Sequence, residues 1–263
     1  MSSAVRLLVR ADDAGSCLAS NEGCLDACLN GIARSVEVMM PCAWVPHAAE
    51  IFNQRPQIDI GIHLTLTSEW DRIKWRPLTA ARSLVDSSGN FHPLLSPRAR
   101  DERCALQDVD WCFDEVVAEF RAQIELGVRT FRSASHVSAH MVRHFADFDP
   151  RFSEIVSSLC EEFGLKDDAF GHGLPRFQGY PPTPRMTDDR VSAFCENLAG
   201  LSTGTHIFID HPAVQSDELS MLGHRGYEDV DQDRRTCLET LKSPLVRETI
   251  QRLGIDLISY RDL

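Results

Sequence analysis

The chain has 263 residues, a length that is ordinary for one α/β barrel. Hydrophobic residues make up 43% of it and charged residues 25%, which is typical of a globular protein that buries a full core. The formal net charge is −12, from 27 basic and 39 acidic residues, and no block of Lys and Arg stands out. This balance argues against a general affinity for nucleic acid or for an anionic membrane surface.

Nine cysteines are scattered along the chain, and none of them forms a Cys-x-x-Cys pair. This pattern argues against a thiolate zinc site and favours a reducing compartment. The apolar N-terminal segment is interrupted too early, at Arg10, to act as a signal peptide, and no stretch reaches the length of a membrane span. We therefore expect a cytoplasmic protein that does not enter a membrane.

Strands and helices alternate over the first 67 residues. The predicted elements are a strand at 4–10, a helix capped by Ser20 or Asn21 and ending near Gly31, a strand at 35–40, a short helix within 46–56 and a strand from Asp59. This order predicts a parallel sheet with helices packed outside it. The chain length favours an α/β fold of (β/α)-barrel type, regular or distorted, over a small open sheet.

Residues 68–105 depart from this alternation, because they hold many turn formers and few periodic apolar positions. Loops of that length usually serve as lids or binding loops. The remaining elements are predicted as helices at 108–127, 150–163, 188–199 and near 234–253, with strand segments at 128–137, 205–212 and 256–260. No repeat or linker interrupts the chain, so we expect a single domain over 1–263 with one long insertion loop.

Candidate metal ligands follow several predicted strands. Asp12 and Asp13 come directly after the first strand, where active sites lie in parallel α/β folds. Two adjacent carboxylates repel each other unless a cation or a proton shares the site, although a helix cap or a surface turn is the alternative. His63 and His136 lie near the ends of later strands and can converge with Asp13 on one face. Two histidines and one carboxylate describe a hydrolytic metal site, against the alternative of histidines satisfied within the core.

His211 ends a further predicted strand, directly before Pro212. It is either an ordinary residue at the start of a helix or a general acid that faces the metal across the barrel mouth. Because neighbours on a strand point to opposite faces, Asp210 is not expected to be its partner.

An ordered set of motifs resembles a known family. ADDAG at 11–15, NEG at 21–23, GIHLTLT at 61–67, SHV at 135–137, a strand ending in HP and a closing LISYRDL are similar to the YdjC-like (ChbG/HpnK-type) carbohydrate deacetylases. The similarity runs from Val5 to Leu263 and includes WRPL and SLVDSSGNF within 75–91. It implies a (β/α) barrel-like fold and a hydrolase that removes the acetyl group of an N-acetylated sugar or small oligosaccharide, with metal-bound water as the nucleophile.

The resemblance also implies roles for individual residues. One divalent metal ion, which can be Zn, Mg, Mn, Fe or Co, would be held by Asp13, His63 and His136. Asp12 would be the general base and His211 the general acid. The partner would be a small carbohydrate, and members of such families are often homodimers.

One segment departs from the family pattern. Many members carry an acidic residue where this chain has Ala134, and that residue would orient the neighbouring histidine. We rank His136 above His140 as the third ligand. The absent acid keeps open a barrel that binds a sugar or another metabolite without turnover. A second alternative is another metal-dependent hydrolase, a phosphoesterase or an amidohydrolase, that uses the same ligands. The candidates for contacts with a sugar ring lie in loops, and they are Trp70, Trp75, Arg76, Arg185, Tyr227 and Arg234.

Overall fold

A parallel sheet forms the centre of the molecule. The computed structural model describes residues 4–183 and 186–263, without the side chains of residues 169 and 170. Its strands are β1 (Val5–Ala14), β2 (Ser35–Val38), β3 (Asp59–Leu64), β4 (Ala134–Ala139), β5 (Lys166–Asp167), β6 (Gly204–Asp210) and β7 (Asp256–Ile258). They follow the order β5-β4-β3-β2-β1-β6. The strand β7 pairs with residues of β1 that precede those paired with β2. Among the described strands β5 and β6 do not pair, so the sheet curls into a half-barrel that is open on that side.

The helices that cover the outer face are α1 (Leu18–Leu29), α2 (Val45–Phe52), α3 (Phe113–Thr130), α4 (Arg151–Phe163), α5 (Thr187–Ala199), α6 (Val230–Lys242) and α7 (Pro244–Leu253). The predicted (β/α) barrel-like fold is thereby confirmed in a distorted, open form. No helix in the part of the chain described here is both long enough and apolar enough to cross a membrane.

Three local predictions differ from the structure. Cys17, and not Ser20 or Asn21, caps α1, and its thiol accepts a hydrogen bond from the backbone N–H of Ser20. The predicted helix at 234–253 is two helices, because Pro244 lacks the N–H that would continue α6 and instead begins α7. The strand β5 was not predicted, since two residues are too short to show a period.

The two faces of the sheet bury side chains of different polarity. Leu7 and Val9 of β1 point outward into the main apolar core beneath the helices. On the inner face, Leu8 packs with Ile207, Ile258 and Tyr260 in a small apolar cluster. Farther along the strand direction the inner face becomes polar, and Arg10 is only 5% exposed there. The interior of the half-barrel therefore changes from apolar to charged toward the carboxyl ends of the strands.

Gly61 of β3 lies where this polar interior is most tightly packed. A Cβ atom at this position would overlap the Oε2 atom of Glu37 and lie 2.5 Å from the Nε2 atom of His136. Both of those side chains are fully buried and bonded to each other. Neither can move without breaking that bond, so a side chain at position 61 is excluded by packing rather than by backbone conformation.

We expect Gly61→Ala to lower the free energy of unfolding by about 2 kcal/mol or more, within the range of roughly 1–3 kcal/mol seen for overpacked cores. Denaturant unfolding would measure the change. Gly200→Ala is the matched control, because a Cβ there meets its nearest neighbour, Asn197 O, at an ordinary 3.5 Å. Equal stability of the Gly61 variant and the wild type would contradict the packing described here.

Candidate metal centre

The end of β1 turns two consecutive carboxylates toward the same cavity. In a regular strand Asp12 and Asp13 would point to opposite faces. The register between β1 and β2 shifts between Ala11 and Ala14, and Asp13 has a φ of 71°, in the left-handed region. Aspartate is one of the few residue types that adopt this conformation readily. The irregular strand end therefore brings both side chains into one buried site.

Asp13 meets two histidines there. Ligand atoms of Asp13, His63 and His140 all lie within 4.8 Å of one another, and all three residues are buried. The Oδ1 atom of Asp13 is 3.3 Å from His140 Nδ1 and 3.8 Å from His63 Nε2. Among the described residues this oxygen has no well-aligned hydrogen-bond donor. A buried carboxylate oxygen that faces two imidazole nitrogens, neither of them well aligned for a hydrogen bond, fits a divalent cation.

The charges around Asp13 are arranged for a carboxylate. Its second oxygen, Oδ2, accepts a hydrogen bond of 2.6 Å from Arg234. Burial would raise the pKa of Asp13, but the positive charges of His211, Arg234 and His140 hold it well below its usual range. Asp13 is therefore ionised, as a metal ligand must be.

The two histidines differ in their electrostatic surroundings. Burial lowers the pKa of His63 to about 4, so its ring is neutral and keeps a lone pair. For His140 burial acts in the same direction, but the carboxylates of Glu69 and Asp13 outweigh it and raise the pKa to about 10. Glu69 lies 3.1 Å from His140 Nε2, which leaves Nδ1 facing Asp13.

The structure does not bring His136 to this cluster, contrary to the sequence-based prediction. Its Nε2 atom lies 2.7 Å from Glu37 Oε1, and its Nδ1 atom lies 2.9 Å from Ser135 Oγ. Its ring stacks on Tyr260 with centroids 3.6 Å apart. Both nitrogens of His136 are thus engaged inside the barrel, and His140 takes the place that was predicted for it.

Strand geometry explains the exchange. Residues 136, 138 and 140 lie on one face of β4, because side chains alternate with a period of two. β4 ends at Ala139, so His140 stands at the rim with Asp13 and His63, whereas His136 lies four residues deeper. The acidic partner expected at position 134 is also replaced, since Ala134 has no carboxylate and Glu37 of β2 binds His136 instead.

Asp12 lies beside the cluster and is held by an arginine. Arg10 donates from Nε and from an Nη atom to the two carboxylate oxygens of Asp12, each at 2.7 Å. The other Nη of Arg10 binds Asp168 at 2.7 Å and Tyr260 at 3.1 Å. The Oδ2 atom of Asp12 is 3.7 Å from His63 Nε2. These two hydrogen bonds from Arg10 fix the orientation of Asp12, while each oxygen keeps a second lone pair that can accept a proton.

His211 stands at the opposite side of the cavity, 42% exposed, with Nε2 3.9 Å from Asp13 Oδ2. Asp210 contacts it after all, with Oδ1 2.8 Å from the backbone nitrogen and 3.3 Å from Nδ1. The rule of opposite faces fails here because β6 ends at Asp210. Burial lowers the pKa of His211, but Asp13 and Asp210 outweigh it and raise that pKa above its usual value.

The cavity over this site has a volume of about 260 Å³. Three of the residues predicted to contact a sugar line it, namely Trp70, Tyr227 and Arg234. Arg234 lies in α6 and not in a loop as predicted. Trp75 is buried behind His140, with ring centroids 6.3 Å apart.

Arg76 is exposed and bonds Asn90 and Ser88, so the structure does not bring it to the cavity. Arg185 lies outside the described residues.

Three charged residues that line this cavity were not singled out from the sequence, namely Arg10, Glu69 and Arg176. His140 lines it as well, although the sequence ranked it below His136 as a ligand. A charged or titratable residue within a strand, such as Arg10, or directly after one, such as His140, either faces solvent or belongs to an active site. Only the spatial neighbours decide between the two. A second cavity of about 540 Å³ shares Arg10 and Arg176 with the first and extends toward the open side of the half-barrel.

Comparisons with known proteins agree with this architecture. A protein named chitooligosaccharide deacetylase from Yersinia enterocolitica serotype O:8 / biotype 1B is 32% identical over 270 residues, covering 97% of this chain and 98% of the relative. A protein of the same name from Yersinia pestis (strain Pestoides F) is 29% identical over 268 residues, with the same coverage of both chains.

A solved structure from Enterococcus faecalis V583, described as a “putative cellobiose-phosphate cleavage protein”, shares the fold. Its TM-score is 0.76 at 21% identity, and the match covers 99% of both chains. The model of the family described as YdjC-like protein matches residues 6–252. The chain therefore belongs to the YdjC-like family.

Proposed function

We propose that this chain is a metal-dependent deacetylase that removes the acetyl group from an N-acetylated sugar or a small oligosaccharide. The observation that carries the proposal is the buried cluster of Asp13, His63 and His140, in which one carboxylate oxygen has no well-aligned donor among the described residues. The deacetylase name of the Yersinia relatives, which align over nearly the whole chain, supports the substrate class.

Asp13 Oδ1, His63 Nε2 and His140 Nδ1 would hold the metal. The third ligand in this proposal is His140 rather than His136. One carboxylate and two imidazoles suit Zn, Mn, Fe or Co, and suit Mg less well. When bound, such a metal would polarise the acyl oxygen and lower the pKa of a coordinated water to about 7.

The residues of the chain would then move the protons. Asp12, oriented by Arg10 and facing the same cavity, accepts the proton of the attacking water. His211, on the other side of the cavity with its pKa raised by Asp13 and Asp210, donates a proton to the leaving amine. Acetate and a free amino sugar result. Trp70 and Tyr227 supply aromatic surface in the cavity on which a sugar ring can pack.

The first expected result concerns the identity of the third ligand. Titration of the metal-free protein with Zn²⁺ in a calorimeter should show one site, and His140→Ala should weaken it by more than about 100-fold, the upper limit for the loss of an outer-sphere partner. His136→Gln should bind Zn²⁺ within about 10-fold of the wild type, below the usual outer-sphere effect. The opposite ranking of the two variants would restore His136 as the ligand.

The second expected result concerns the reaction. The metal-loaded protein should release acetate from N-acetylated chitooligosaccharides, and Asp12→Asn should lower kcat by about 10²- to 10⁴-fold, the usual contribution of a general base. His211→Ala should cut turnover in the same range while leaving Zn²⁺ affinity unchanged, because it is not a ligand in this proposal. An enzymatic acetate assay measures both. Absence of acetate with every divalent metal, or full activity of Asp12→Asn, would contradict the proposed function.

A further inference from the structure

The ring of His63 is held from behind by a buried serine. Its Nε2 atom faces the two aspartates, whereas its Nδ1 atom lies 2.7 Å from Ser138 Oγ. The contact is built into the sheet, because His63 and Ser138 are register partners of β3 and β4. A neutral imidazole carries one proton, so this hydrogen bond decides which ring nitrogen is left to bind a metal.

The direction of that hydrogen bond follows from counting protons. The hydroxyl of Ser138 has one proton, and it donates that proton to Glu37 Oε2 in a short hydrogen bond. The oxygen of Ser138 can then only accept from His63. His63 therefore carries its proton on Nδ1, and the lone pair of Nε2 points toward Asp13. The acceptor that imposes this order is Glu37.

Glu37 is fixed from its other side by His136. Its Oε1 atom accepts from His136 Nε2 at 2.7 Å, and both side chains have no exposed surface. Ser135 donates its single proton to Asp59, so the Nδ1 atom of His136 also donates, to Ser135 Oγ. His136 thus donates from both ring nitrogens, and one of these hydrogen bonds holds the buried Glu37. Gly61 leaves the space that this pair occupies.

We propose that Glu37, acting through Ser138, is a positioning residue of the metal centre that sets the tautomer and the ring orientation of His63. This inference rests on the proposed metal site and assigns a role to two buried residues that do not touch the metal or the substrate. It also gives His136 a role, which is to hold Glu37 in place. Such outer partners of a metal-binding histidine commonly change metal affinity by about 10- to 100-fold.

The decisive variant is Glu37→Gln, which keeps shape but replaces one acceptor oxygen with a donor. The amide oxygen must face His136 Nε2, because that nitrogen has a proton to donate, so the amide NH₂ group faces Ser138. Ser138 then donates its own proton to His63 Nδ1, and the His63 proton moves to Nε2. Two-dimensional ¹H–¹⁵N spectra of the imidazole rings in the metal-free protein should show this exchange of tautomers.

Zn²⁺ affinity gives the second readout. Glu37→Gln and Ser138→Ala should each weaken Zn²⁺ binding by about 10- to 100-fold. The double variant should be no weaker than the worse single variant, because both residues act through one hydrogen bond. Ser138→Thr keeps the hydroxyl and should retain most of the affinity. These smaller changes at Ser138 keep the test valid if Glu37→Gln does not fold.

Glu119→Gln is the matched control. Glu119 is equally buried, but its partners are the backbone of Leu78, the backbone and hydroxyl of Thr79 and the side chain of Gln123. It should lose stability without any change in Zn²⁺ affinity or in the His63 tautomer. A purely structural role for Glu37 would give the same pattern, and that result would overturn the proposal.

The two proposals fail in different ways. Zn²⁺ binding with the expected variant effects but without acetate release would remove the proposed reaction and leave the positioning role intact. Unchanged Zn²⁺ affinity in both Glu37→Gln and Ser138→Ala, or a wild-type protein that binds no divalent metal, would overturn the positioning role.

Discussion

The carboxylates of Asp12 and Asp13 are buried side by side at the end of β1, and each requires a positive charge that the fold must supply. Burial of a carboxylate without such a partner is costly enough that the group would take up a proton instead. Arg10 meets this need for Asp12 with two hydrogen bonds. Asp13 has Arg234 on one oxygen only, and its other oxygen faces His63 and His140. The positive charge on that side would come either from the imidazolium of His140 or from a bound metal ion that takes the place of its proton.

The same requirement organises the interior below the site. Arg10 also binds Asp168, so one guanidinium of β1 links Asp12 to the open side of the half-barrel. Burial raises the pKa of Asp168 to about 6 even though the charge of Arg10 opposes it. A layer deeper, Glu37 and His136 form a second compensated pair. Ser138 forms hydrogen bonds with both Glu37 and His63, so it links this deeper pair to the cluster around Asp13.

Much of this organisation was readable from the sequence, and the limits have physical causes. The alternation of strands and helices predicts the sheet type. Strand-end placement predicts that Asp13 and His63 converge, and the structure brings them to 3.8 Å. Strand-end placement could not decide between His136 and His140. The two positions share one face of the strand direction, so the choice depends on where β4 ends, and it ends at Ala139, directly before His140. Periodicity locates a strand but fixes its end poorly.

Buried charged residues are the other feature that the sequence does not reveal. Arg10 and Glu37 carry no signal in a hydrophobic pattern, because a charged residue in a strand is ordinarily read as facing solvent. Glu69 lies in the long loop, where a charged residue is expected in any case. Their roles depend on partners that are distant in the chain, such as Glu37 with His136, which are 99 residues apart. At position 134 the chain has alanine where many family members carry an acid, and the sequence alone does not reveal a replacement for it. The compensating acid comes from β2, where no motif pointed to it.

The most direct test of the central claim is a crystal structure of the protein with Zn²⁺ bound. We expect one ion in contact with Asp13 Oδ1, His63 Nε2 and His140 Nδ1, with metal–ligand distances of about 2.0–2.2 Å. His136 should remain bonded to Glu37 and away from the ion. An ion coordinated by His136, or one bound without His63, would contradict the account of how this half-barrel places its charges.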